Sequence, residues 1–195
     1  MKQVTKDLIL NESFKLFAWK RYEQVTVSDL ERVTKLTRGA IFYYVNNKEH
    51  LFTEVLDKYM LEINTPQVDE QMTLMLFIDL FIEQIRESKK QMSLLGIKNM
   101  NFAYANISNQ AKYYYPEFVK LAKETEDEEL KNWIKVLHNS VQSGEIVDST
   151  DIELIANIFQ LLFKGLCNKG ITLEDGIDLE ETYKSFLCIY KLIKK

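Results

Sequence analysis

The sequence predicts an all-α fold, and three observations carry that expectation. Only 6 Gly and 2 Pro occur in 195 residues, too few for the turns that a sheet-rich chain needs. Apolar residues make up 46% of the chain and recur mainly three or four positions apart, the period of one helix face. With 28% of residues charged, the balance is that of a globular chain with a core rather than a disordered one.

The elements follow in order. A first helix is expected over about 4–20, with Leu8, Ile9, Phe14, Leu16 and Phe17 as its apolar stripe. Val25-Thr26-Val27 leads into a second, short helix. Thr26 has the chemistry of an N-cap, and Asp29 stands where a carboxylate suits the helix dipole. Leu30 and Val33 are its inward residues, Lys35-Leu36 makes a tight turn, and Thr37 caps a third short helix ending at Tyr44. Asn46-Asn47 interrupts the chain, and Lys48 opens a fourth helix through Leu51, Phe52, Val55, Leu56 and Tyr59, which Pro66 ends. Longer helices are expected over about 68–89, 92–110, 116–143, 151–169 and 178–194, with Pro116 as a first helical residue and Gly144 and Gly170 as stops.

Short helices joined by minimal turns, each with inward apolar residues, describe a helix-turn-helix. The expected organisation is therefore a three-helix helix-turn-helix DNA-binding domain over 1–47, a connecting helix over 48–65, and a larger helical domain over 66–195.

The net charge of −4 hides an asymmetry: residues 1–50 carry +3 and the remainder −7. A basic head on an acidic body suits a nucleic-acid-binding module attached to something else. The acidic run Glu124–Glu129 reads as a solvated helix face. Cys167 and Cys188 form no spaced framework and read as free thiols in a reducing cytoplasm. No signal peptide is visible, and the longest apolar run, Leu74–Ile78, is far too short to span a bilayer. A cytoplasmic protein without a membrane partner is expected. His50 and His138 are the only histidines. Without a nucleophile–base spacing, phosphate loop or metal motif, the sequence predicts no enzyme, no cofactor and no metal site.

On a helical wheel, Ile41, Tyr44 and Val45 continue the inward face of Leu30, Val33 and Leu36. The outward side holds Gly39 and Tyr43, flanked by Phe42, with Arg38 and Ala40 at the margins. Gly39 permits close backbone approach, Arg38 suits guanine or phosphate, and the rings suit sugars and thymine methyls.

Leu16-Phe17, Tyr22 and Thr26-Val27-Ser28-Asp29-Leu30, then Thr37-Arg38-Gly39-Ala40-Ile41-Phe42-Tyr43-Tyr44-Val45 and Asn47-Lys48-Glu49-His50-Leu51, resemble the signature of tetracycline-repressor (TetR) family regulators. Only the first 50 or so residues carry the motif; the rest is similar in length and helical character. The resemblance implies that Thr26 and Lys48 contact phosphates from helix starts, and that Thr37, Arg38, Ala40, Tyr43 and Tyr44 lie at or near DNA. Several positions depart from it. Arg21 and Lys35 replace glycines, and each costs about 1 kcal/mol where the backbone is left-handed. Glu31 and Thr34 replace small alanines, Ala40 replaces a threonine, and Phe42 lacks a tyrosine hydroxyl.

The implied activity is that of a ligand-responsive repressor, a homodimer on a palindromic operator in double-stranded DNA. Surplus apolar surface on the last two helices places the dimer interface at Leu154, Ile158, Leu161, Leu162, Phe186 and Tyr190. The helix over 68–89 is apolar nearly all round. With Phe77, Phe81, Phe102, Phe118, Trp133 and Phe163 as walls and Asn101, Tyr104 and His138 as polar anchors, a cavity for an apolar or aromatic small-molecule effector is expected. The alternative reading is a helical protein-interaction module with a decayed helix-turn-helix.

Overall fold

The computed structural model describes residues 2–61 and 66–195. The chain is all-α. Nine α-helices are formed among the described residues: α1 Lys2–Trp19, α2 Val27–Thr34, α3 Arg38–Tyr44, α4 Lys48–Leu56, α5 Leu74–Leu94, α6 Met100–Tyr114, α7 Phe118–Gln142, α8 Ile152–Gly170 and α9 Leu179–Ile193. A 3-10 turn spans Tyr22–Gln24, and a π turn over Asp57–Leu61 extends α4. The last four residues of the expected connecting helix, 62–65, lie outside the described residues.

Contacts divide the chain into two compact units, residues 1–63 with 102–122 and residues 64–101 with 123–195. The first unit is not simply the expected 1–47 head, because most of α6 packs with it. Its core is the apolar stripe of α1 (Ile9, Phe14, Phe17 and Ala18), Leu30, Ile41, Val45 and four residues of α4, Leu51, Phe52, Val55 and Leu56. Each such large side chain contributes about 1.5–3 kcal/mol on full burial. Polar groups fix α6 here: Asn106 Nδ2 donates to the Ala18 carbonyl (3.0 Å) and Gln110 Nε2 to that of Phe17 (3.2 Å). Both acceptors are terminal carbonyls of α1, which have no partner inside their own helix.

In the second unit α5 starts six residues later than its apolar pattern predicts. Thr73 supplies the cap, its hydroxyl accepting the Leu76 amide at 3.2 Å. The buried Ser140 hydroxyl and the Glu145 carboxylate each accept the Leu74 amide at 2.8 Å. Val68 and Met72 are nonetheless buried, from irregular chain. Pro116 lies in the turn before α7 rather than in its first position, since the Phe118 amide closes back onto Tyr115 (3.0 Å).

Aromatic rings fill the core of this unit. Trp133 stacks on Phe159 at 4.6 Å and meets Phe77 edge-on at 4.7 Å, and Phe81, Phe163 and Phe186 surround them. The corner between α8 and α9 is tied by Asn99 and Asn101. Asn99 Nδ2 donates to the Gly170 and Leu173 carbonyls (2.9 and 2.6 Å), and Asn101 Oδ1 accepts the Ile177 amide (2.8 Å). Gly176 is required there: its φ is +75°, and a Cβ would stand 2.8 Å from Asn101 Oδ1.

Candidate nucleic-acid interface

Three local caps and one unusual turn build the surface. Thr26 and Asp29 form a reciprocal capping box, with the Asp29 amide on Thr26 Oγ1 and the Thr26 amide on Asp29 Oδ2, both 3.1 Å. Asp29 Oδ1 also accepts Lys20 Nζ (2.9 Å) and Arg32 Nη2 (2.7 Å). Lys20 foremost, then the Thr26 amide and hydroxyl, hold its carboxyl down at about 2. Helix α2 ends at Lys35, which is left-handed (φ 59°, ψ 22°) and donates its amide to the Glu31 carbonyl at 2.9 Å.

Thr37 then caps α3, accepting the Ala40 amide, and Glu31 Oε1 accepts the Arg38 amide at 2.7 Å. Ile41 and Val45 are buried, so the helix turns its other side outward. Arg38, Gly39 and Tyr43 are exposed there, Tyr43 at 68%. Ala40, Phe42 and Tyr44 are half-buried. The Arg38 guanidinium lies 5.7 Å from the Phe42 ring centre, a cation–π geometry that holds the side chain over the helix. Arg21, by contrast, is not left-handed (φ −63°, ψ 148°), so the strain expected there does not arise.

Asn47 caps α4 through the His50 amide (2.8 Å), and Lys48 opens it. Lys48 Nζ sits 4.3 Å from the centre of the Tyr22 ring, and burial pulls its pKa below the usual lysine value. Tyr22 in turn stacks on Tyr114 of α6 at 4.1 Å, and the Tyr114 hydroxyl bonds to Glu23. Position alone found Lys48; its ring partner, 26 residues away in sequence, carries no local signal.

The candidate effector residues separate into two groups. Phe77, Phe81, Trp133 and Phe163 come together in the second unit, packed on one another and on Phe159 and Phe186. Phe102 lies against Trp19 (5.3 Å), Tyr104 edge-on to Phe14 (6.2 Å) and Phe118 beside Tyr115 (6.5 Å), all in the first unit. Burial pushes the Tyr104 hydroxyl up to about 12. Asn101 is buried but engaged with Ile177, and His138 is exposed on α7.

Glu129 was hidden by the acidic run. Glu124, Glu126, Asp127 and Glu128 are exposed, whereas Glu129 is half-buried one turn before Trp133, and burial raises its carboxyl. The i, i+4 spacing to a tryptophan was the available signal.

Of the residues expected at the dimer interface, Leu154, Ile158 and Leu161 are exposed along one face of α8, and Leu162 is half-buried. Phe186 and Tyr190 are not on that surface. Phe186 is fully buried against Trp133 and Phe159, and Tyr190 is 8% exposed. A large apolar residue exposed near them is Leu192, at 80%. No described helix is long and apolar enough to cross a membrane. Among the described residues no cluster of three His, Cys, Asp or Glu could hold a metal ion.

Residues 9–55, from α1 through most of α4, match the bacterial regulatory proteins of the tetR family. The head is a tetR-family domain. The whole chain shares its fold with solved structures of low sequence identity. MexZ, described as a key repressor responsible for antibiotic resistance in Pseudomonas aeruginosa, superposes with a TM-score of 0.67 at 15% identity, over 99% of this chain and 96% of that one. NalD, the secondary repressor of the MexAB-OprM multidrug efflux pump of the same organism, gives 0.64 at 17% identity over 100% and 98%. SmeT in complex with triclosan gives 0.65 at 12% identity over 98% and 92%. No curated protein matches the chain in sequence. These likenesses establish the tetR-type fold for the whole chain, and the family match establishes the head.

Proposed function

We propose that this chain is a ligand-responsive transcriptional regulator, a repressor, that binds a palindromic operator as a homodimer. The observation that carries the reading is α3, whose exposed side presents Arg38, Gly39 and Tyr43 from a helix anchored by buried Ile41 and Val45. In the major groove such a face places Arg38 at base edges and Tyr43 at sugars and methyls, while Thr26 and Lys48 meet phosphates on either side. The caps at Thr26, Thr37 and Asn47 and the turn at Lys35 are all formed, which disfavours a decayed helix-turn-helix.

One such head reads too few base pairs for useful selectivity, so two are needed about one helical turn apart. The Leu154, Ile158 and Leu161 face supplies apolar surface for pairing. The effector is an apolar or aromatic small molecule. It acts by preferring one arrangement over another, since equal affinity for both shifts nothing. Side chains one turn apart on α6, Asn106, Gln110 and Tyr114, grip the head through Ala18, Phe17 and Glu23. Met100 and Asn101, which open the same helix, belong to the second unit.

Anisotropy titrations test the reading. The duplex that the protein enriches from a randomised library and a scrambled duplex of equal length are compared at several salt concentrations. Tighter, salt-sensitive binding of the enriched duplex is expected. Equal and salt-insensitive affinity for both would refute it.

A further inference from the structure

Glu31 is the feature of the head that DNA binding leaves unexplained. It puts an acidic side chain at the start of the helix assigned to the major groove, where the family signature has a small alanine. Its two oxygen-bearing groups bracket the turn. The main-chain carbonyl accepts the Lys35 amide at 2.9 Å, and the carboxylate Oε1 accepts the Arg38 amide at 2.7 Å. One residue of α2 therefore fixes both the left-handed turn and the first amide of α3.

Its charge is not neutralised locally. Arg32 is taken by Asp29 at 2.7 Å, Arg38 lies over Phe42, and among the described residues no ion pair reaches the Glu31 carboxylate. A carboxylate at that place repels any phosphate approaching α3, whatever the sequence of the duplex.

We propose that Glu31 is a positioning and specificity-determining residue: its carboxylate sets the register of α3 while its charge suppresses indiscriminate phosphate binding. The inference rests on the DNA-binding function proposed above. Base contacts depend on where α3 sits, whereas phosphate contacts depend mainly on charge. Glu31 therefore strengthens the first, which raises the ratio of specific to non-specific affinity, and weakens the second, which lowers affinity for every duplex alike.

Two variants separate the roles. Glu31→Gln keeps an oxygen that accepts the Arg38 amide but removes the charge, and Glu31→Ala removes both. Both variants are expected to bind a scrambled duplex about two- to five-fold more tightly at low salt, a gain that fades as salt rises. Glu31→Gln should keep the wild-type ratio of enriched to scrambled affinity, and Glu31→Ala should lose about three-fold or more of it. Amide exchange at Arg38, read by NMR without DNA, should accelerate in Glu31→Ala only. Unchanged scrambled-duplex affinity in both variants overturns the charge role. A wild-type ratio in Glu31→Ala, or an unaltered Arg38 amide, overturns the positioning role. Wild-type protein that enriches no duplex and binds none would instead overturn the proposed function itself, a result distinct from either.

Discussion

Lys35→Gly replaces the one described non-glycine residue with positive φ, at 59°. A side chain in that conformation crowds its Cβ against the following carbonyl and costs roughly 1–2 kcal/mol, a strain glycine does not feel. Glycine brings its own penalty, because the unfolded chain gains backbone freedom worth about 0.4–1 kcal/mol. The Lys35 side chain is exposed, so no packing is lost. The amide bond to Glu31 survives, since it uses main-chain atoms. The expected net effect is a stabilisation of about 0.5–1 kcal/mol, equivalent to roughly 1–4 °C in midpoint for a chain of this size. Urea unfolding followed by circular dichroism measures it, with an unchanged slope showing that only stability moved. Lys35→Ala is the control, removing the charge but keeping Cβ, and should gain little. A midpoint that falls in the glycine variant, or rises equally in both, would show that backbone strain is not what this turn stores.

Three further outcomes are expected. Arg38→Ala should weaken the enriched duplex by about 1–3 kcal/mol with little change for scrambled DNA, whereas Lys48→Ala should weaken both alike and flatten the salt dependence in anisotropy titrations. Leu161→Glu places a charge on a side chain that is 64% exposed in the subunit. It should leave the fold intact and give monomers by analytical ultracentrifugation; dimers of wild-type strength would put the interface elsewhere. Asp29, whose carboxyl is held at about 2 against an ordinary 3.8, contributes stability that is present above pH 4 and is lost as pH falls toward 2. The difference in urea midpoint between Asp29→Asn and wild type should therefore be largest near neutrality and shrink through that window; a pH-independent difference would show that the ionised form is not what matters.

The head was legible because its signals are local. Threonine is favoured as a cap just before an apolar helical pattern, and Thr26 and Thr37 each form one, while Asn47, legible only as a break in the chain, forms a third. The second unit was legible only as helices. Periodicity shows that α8 and α9 are apolar on more than one side, but not which side a neighbour covers. Phe186 thus went to the interior, while Leu192, unmarked in sequence, stayed outside. Phe102 and Tyr104 carry the same aromatic label as Phe77, yet they pack in the other unit because Asn106 and Gln110, polar residues with no sequence motif, bind α6 to the carbonyls ending α1. The start of α5 was misplaced for a related reason: its first amide is held by Ser140 and Glu145, more than sixty positions away.

The two tryptophans fall one in each unit and in opposite surroundings. Trp19 is 57% exposed beside Phe102, and Trp133 is fully buried against Phe159. The protein therefore carries two built-in optical reporters that differ in colour and in reach. Emission from Trp19 should be red-shifted and open to a dissolved quencher, while that from Trp133 should be blue-shifted and shielded until the second unit loosens. Light from a single cuvette can then be resolved into a signal from the head and a signal from the body, without attaching a dye to either.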